Sequence, residues 1–125
     1  MGDGIHRQIR WYREPGSDSE EPVALKEFRG LALHGQAALL ALLRRFKRGE
    51  ERQGEADFVC NVPPDSKLYE LRVRVGSDPF RILYFRDTPV HFVMLLAVYK
   101  NQRKLPQGDR DKATKRLKRW RDNSA

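Results

Sequence analysis

The run Leu68-Tyr69-Glu70-Leu71-Arg72-Val73-Arg74-Val75, the break Gly76-Ser77-Asp78-Pro79 and the run Phe80-Arg81-Ile82-Leu83-Tyr84-Phe85 constrain this chain more than any other stretch. Both runs alternate in steps of two and carry β-branched and aromatic residues on either side of turn formers, which predicts an antiparallel hairpin. The shortest loop these turn residues allow pairs Val75 with Phe80, Val73 with Ile82 and Arg74 with Arg81. One face then holds Tyr69, Leu71, Val73, Val75, Phe80, Ile82 and Tyr84, which is core material. The other gathers Arg72, Arg74 and Arg81. Like charges directly across a strand pair destabilise by roughly 0.2–1 kcal/mol, so a sheet that keeps them is expected to hold an anion there. The alternative is a solvated face on which the arginines pair with Glu70.

The placement of charge supports the first reading. Residues 1–64 hold ten Lys/Arg and ten Asp/Glu, residues 65–99 five and four, and residues 100–125 ten and three, so most of the net charge of +8 falls at the C-terminal end. A basic tail joined to a basic sheet face reads as a footprint for a phosphate backbone, with an affinity that falls steeply with salt. An anionic membrane surface or an acidic protein would suit the tail but would leave the sheet arginines unexplained. At 125 residues the chain is expected to be one domain, and its apolar fraction of 39% implies a small core under a charged surface. Cys60 is the only cysteine, which excludes an internal disulfide and fits a reducing cytoplasm. No run is long and apolar enough to span a membrane, and no signal-peptide pattern opens the chain, so a soluble cytoplasmic protein is expected. The absence of a glycine-rich phosphate loop, zinc-ligand spacing and a Gly-x-Ser-x-Gly elbow argues against nucleoside triphosphate, zinc and serine-hydrolase chemistry.

The remaining elements follow in order. Ile5–Tyr12 alternates weakly and predicts a strand at the edge or middle of the sheet, and Gly16–Glu21 predicts a loop. A short helix over Pro22–Arg29 is expected to bury Val23, Leu25 or Phe28. Gln36–Arg48 is dense in helix formers, with Leu39, Leu42, Leu43 and Phe46 in one apolar stripe. Gly54–Lys67 reads as irregular, with Phe58, Val59 and Val62 under the sheet and Cys60 a small buried hydrophobe. Val90–Tyr99 is apolar on both faces and predicts a central, covered strand. Asp109 is suited to cap a last helix, Arg110–Arg121, docked through Ala113, Leu117 and Trp120. Its outer faces carry Lys112, Lys115, Arg116, Lys118 and Arg119, read as phosphate contacts. Together these elements predict an α+β fold: a small antiparallel sheet of about four strands, covered by two helices from the N-terminal half, with a basic C-terminal helix.

Several of these residues also carry a family resemblance. Pro22-Val23 with Phe28, Leu68-Tyr69-Glu70-Leu71-Arg72, Phe80-Arg81-Ile82-Leu83-Tyr84, and the apolar strand ending at Lys100 with Pro106 and a basic helix beyond it make the pattern. Over roughly residues 5–120 the chain resembles the RelE/ParE superfamily of toxin–antitoxin proteins, in particular its HigB-like branch of phage-derived host-killing proteins. The resemblance implies a RelE-like fold and a ribosome-dependent endoribonuclease that cuts messenger RNA at the decoding site beside 16S ribosomal RNA, inhibits translation and uses no cofactor. It also implies a small DNA-binding helix-turn-helix antitoxin as partner. Carried over, the family's basic catalytic set falls on Arg72, Arg81 and Lys100, with Arg74, Tyr99 and Arg103 behind them. Relatives often show two adjacent lysines where this chain has Lys100-Asn101, so part of that charge moves to Arg103 and Lys104.

Metal-free RNA cleavage uses the 2′-OH as nucleophile and needs it aligned, with the developing charge stabilised. Arg81 is expected to stabilise the transition state and, as an outward-facing side chain, to contribute little to folding; Arg72 is expected to position the backbone. Lys100 is the expected base, with His91 as substitute. Tyr84 or Tyr99 would stack on a base, and Arg74, Arg103, Lys104, Lys112, Lys115 and Arg116 would hold RNA. Two other readings are a relative that binds RNA or antitoxin without chemistry, and a ParE-like poison of DNA gyrase, which has less need of the arginine pair and Lys100.

Overall fold

The predicted hairpin forms from β3 (Ser66–Val75) and β4 (Asp78–Arg86), and the apolar run after it becomes β5 (His91–Tyr99). The computed structural model, which describes residues 6–99 and 105–124, adds β1 (Gln8–Trp11) and β2 (Ala56–Val62) in the order β1-β5-β4-β3-β2. Strands β2 to β5 are antiparallel neighbours, whereas β1 runs parallel to β5, with Gln8 opposite His91 and Trp11 opposite Met94. The sheet therefore has one more strand than expected and is mixed. The additional strand, β2, comes from the stretch read as irregular.

Hairpin pairing is displaced by two residues from the expected register. Val75 lies opposite Asp78, Val73 opposite Phe80 and Arg72 opposite Arg81, so the loop is only Gly76-Ser77, and Gly76 supplies the left-handed backbone (φ 63°) that so tight a reversal needs. Arg74 faces Pro79, not Arg81. Because the side-chain period of a strand is two, this shift leaves every residue on its expected face.

Both faces of the sheet are covered. On one, Leu39, Leu42, Leu43 and Phe46 of α2 (Leu33–Lys47) pack on Leu71, Phe80, Ile82 and Tyr84. On the other, Ala113 and Leu117 of α3 (Gln107–Ser124) meet Leu68, Leu83, Phe85, Val93 and Leu95. Helix α1 (Val23–Arg29) sends Phe28 into the first cluster and Ala24 into the second. The central strand β5, screened on both sides, is apolar nearly throughout for that reason. Phe58 is a correction: it stands 52% exposed on the edge strand beside Tyr69 instead of tucking under the sheet. Cys60, expected to be buried, is half-buried on that same strand.

Helix α2 approaches the hairpin through Gly35, where an added Cβ would stand 2.3 Å from the Phe80 ring. Gly35→Ala gains about 1 kcal/mol of helix propensity, while overpacking costs about 1–3 kcal/mol. A net loss of up to about 2 kcal/mol is expected in chemical denaturation. A denaturation midpoint at or above that of the parent would disprove so close a contact.

Candidate functional site

Arg72 on β3 and Arg81 on β4 are direct cross-strand partners, and Arg74 follows two residues along the same face. With Gly54, Val73, Pro79 and Phe80 they line an open cleft of about 390 Å³ at the hairpin end of the sheet. The fold thus brings the expected arginines together.

Carboxylates make this cluster tolerable. Arg72 Nη2 donates to Asp57 Oδ2 at 2.6 Å, and Arg72 Nε lies 3.4 Å from Glu70 Oε1. Arg81 Nε lies 3.8 Å from Glu70 Oε2. Since Asp57 and Glu70 are themselves cross-strand partners, opposite charges alternate across three strands in the order Asp57, Arg72, Glu70, Arg81. The two readings of the arginine face, anion site and carboxylate pairing, therefore coexist. Glu70 was visible in the hairpin; Asp57 was not, because it belongs to the unforeseen β2.

Arg81 is not the outward-facing side chain that alternation suggested. It sits on an interior strand between Arg72 and Val98 and is only 3% exposed. Arg72 is half-buried and Arg74 exposed, so access increases along the cleft from Arg81 to Arg74.

Burial pushes the Glu70 carboxyl above its ordinary range; Arg81 and Arg72 oppose this, and Asp57 reinforces it. A carboxyl raised in the folded state contributes stability that is complete below its unfolded value and is lost as pH rises through the folded one. Glu70→Gln is therefore expected to flatten the stability profile from the ordinary carboxylate range upward, as read by thermal unfolding across pH. A profile that keeps its slope would remove Glu70 as the cause. Glu55 acts in the opposite sense: the Arg45 fork, with bonds of 2.6 and 2.8 Å, holds its carboxyl down, and its contribution disappears as pH falls through that lowered value.

Other sequence candidates separate clearly. Lys100, Arg103 and Lys104 lie outside the described residues. Tyr99 ends β5 opposite Phe80, on the α2 side of the sheet; its hydroxyl donates to Asp78 Oδ1 at 3.1 Å, which raises its pKa, and the residue is 43% exposed. Tyr84 keeps its expected place on the core face and loses its expected stacking role: at 5% exposure it is stacked on Tyr69 inside the α2-side core, where burial raises its pKa and no nucleobase can reach it. His91 stands at the opposite end of β5 from Val98, the partner of Arg81, which is roughly 23 Å away at strand rise. Its Nδ1 is 2.7 Å from Thr88 Oγ1, so it closes a turn and cannot substitute as base in the cleft.

Arg116, expected to contact phosphate, is instead a structural anchor. Only 5% exposed, it donates to Glu27 Oε1 and Oε2 at 2.8 and 2.7 Å and to the Leu95 carbonyl at 2.8 Å, tying α3 to α1 and β5. Lys112 and Lys115 are exposed and flank a separate depression with Glu14 and Arg119. Among the described residues, no group of His, Cys, Asp or Glu side chains is arranged to hold a metal ion, and no helix is long and apolar enough to cross a membrane.

A five-stranded sheet with helices on both faces and an arginine-lined cleft at its hairpin end is an α+β architecture compatible with a RelE-like fold. Residues 26–118 match the family of phage-derived Gp49-like proteins (DUF891). Over 100 residues the chain is 36% identical to the probable endoribonuclease HigB1 of Mycobacterium tuberculosis, in strain CDC 1551 / Oshkosh and in strain ATCC 25618 / H37Rv, covering 80% of this chain and 75% of each relative. The chain belongs to this Gp49-like family, in keeping with the HigB-like resemblance carried by its hairpin.

Proposed function

We propose that the protein is the toxin of a type II toxin–antitoxin system, an endoribonuclease that cuts messenger RNA on the ribosome, stops translation in the cytoplasm and is neutralised by a helix-turn-helix antitoxin. The observation that carries this reading is the convergence of Arg72, Arg74 and Arg81 on one cleft. Its kinship with proteins named probable endoribonuclease supports it.

In the proposed reaction the RNA 2′-oxygen attacks the adjacent phosphorus and the bond to the 5′-oxygen breaks, the leaving 5′-oxygen taking a proton from water, so that a 2′,3′-cyclic phosphate and a 5′-hydroxyl remain. Negative charge grows on the phosphoryl oxygens, and fixed guanidinium groups stabilise it without reorganising. Arg81 takes this role and Arg72 aligns the phosphate, each held by a carboxylate at its back. Glu70 does not line the cleft and acts as a positioning residue for both arginines. Exposed Arg74 holds a neighbouring phosphate.

Lys100, carried over from the basic catalytic set that the family resemblance implies, is assigned the 2′-OH proton, a role that an ammonium fills only where neighbouring positive charge lowers its pKa. Tyr99 is the stacking group, and Arg103, Lys104, Lys112 and Lys115 contact RNA phosphates, including those of 16S ribosomal RNA.

A translating extract tests the whole. Reporter mRNA is expected to be cut only with ribosomes present, and a single 2′-deoxy substitution at the cleavage site is expected to abolish the cut. Intact mRNA with stalled gyrase would indicate a gyrase poison, and neither effect would indicate a binding protein without chemistry.

A further inference from the structure

The outer surface of α2 carries exposed apolar and cationic side chains that the cleft does not involve. Leu33 is 80% exposed and Leu40 41% exposed, two of the few large apolar side chains left at the surface. Ala37 and Ala41 are exposed beside them, and Arg44, Lys47 and Arg48 continue the exposed surface to the end of the helix. Positions 33, 37, 40, 41 and 44 recur at helical spacing, so they form one stripe about three turns long that is apolar at its start and cationic at its end. The α2 segment LHGQAALLALLRRFK contains no acidic residue, and among the described residues no carboxylate pairs with Arg44, Lys47 or Arg48. Helix α2 covers the sheet face carrying Phe80 and Tyr84, whereas the cleft arginines project from the other face.

We propose that this stripe is the docking surface for an amphipathic helix of the antitoxin, with apolar residues laid against Leu33, Ala37, Leu40 and Ala41 and acidic residues set against Arg44, Lys47 and Arg48. The proposal rests on the toxin reading for the partner's identity and on charge for its chemistry. A second copy of this chain offers the stripe no carboxylate from its own α2 and brings a further charge of +8 to the contact. An acidic helix meets both halves of the stripe. A helix laid along this stripe would in turn present apolar anchors at i, i+3 or i+4, and i+7 to Leu33, Ala37 and Leu40.

The test uses the full chain and the small protein encoded beside its gene, with affinity measured by titration calorimetry. The double variant L33D/L40D changes only exposed side chains, and circular dichroism is expected to match the parent. Its affinity for the neighbouring protein is expected to fall at least tenfold, and Arg44→Glu with Lys47→Glu is expected to weaken binding in a salt-dependent way. Cleavage of mRNA is expected to persist in both variants. A photo-crosslinker at position 40 is expected to capture an acidic, apolar segment of the partner. Unchanged affinity in L33D/L40D, or no binding to the parent chain, overturns the docking proposal, as does a parent dimer in sedimentation that L33D/L40D dissociates. Loss of the toxin reading is recognised separately, by an uncut mRNA in the presence of intact binding.

Discussion

Arg81→Ala is expected to lower RNA cleavage by about 10²-fold or more, the scale on which removal of one fixed charge-stabilising donor acts. Its burial adds a second effect. Removing the guanidinium takes one of two cations from Glu70, 8% exposed, and leaves Arg72 at 3.4 Å, nearer than Arg81 at 3.8 Å, so the stability loss is expected to fall below the roughly 3–5 kcal/mol of a buried charge left with no partner. The two effects separate in Arg81→Lys. An ammonium retains the charge beside Glu70 and most of the stability, but it lacks the planar fork that grips two phosphate oxygens, so cleavage is expected to stay low while the melting temperature recovers. Single-turnover cleavage at fixed RNA concentration, read beside thermal unfolding, checks both. Undiminished cleavage in Arg81→Ala would remove Arg81 from the chemistry.

Arg116→Ala is expected to give the opposite combination: a stability loss of about 3–5 kcal/mol with the chemistry intact in the molecules that remain folded. The side chain joins Glu27 of α1 and the Leu95 carbonyl of β5 to α3, so its loss strands a carboxylate and an acceptor together. Measurements of RNA binding against salt discriminate further. Neutralising a phosphate-contacting lysine lowers the magnitude of the salt slope by about one, as expected for Lys115, whereas Arg116→Ala is expected to leave the slope of the folded protein unchanged. A reduced slope at unchanged stability would return Arg116 to the RNA-contacting set.

The contrast between these two arginines marks how far the sequence could be read. Alternation in the hairpin assigned Tyr69, Leu71, Phe80 and Ile82 to one face and Arg72, Arg74 and Arg81 to the other, and a register shift of two residues left that assignment intact. Depth was not legible, because period-two alternation distinguishes faces without showing which face a later helix will cover. Arg81 illustrates this on the cleft side and Arg116 on α3 itself, where a basic run concealed one buried anchor among exposed lysines. β2 escaped notice for a different reason: the register shift between Phe58 and Cys60 breaks its alternation, and an exposed Phe58 runs against the expected apolar pattern. With β2 went Asp57, and with Asp57 half of the charge compensation in the cleft.

The parallel pairing of β1 with β5 has a kinetic consequence. Gln8 must find His91 across the whole intervening chain, whereas β3 and β4 meet over a loop of two residues. Closure entropy grows with the length of chain enclosed, so the hairpin bearing the cleft arginines is the early-forming part of the sheet and the β1 seam is the late one. Amide protons of Arg10 and Tyr12 would accordingly exchange with solvent before those of Leu71 and Ile82, and the seam would open first when the folded state loosens.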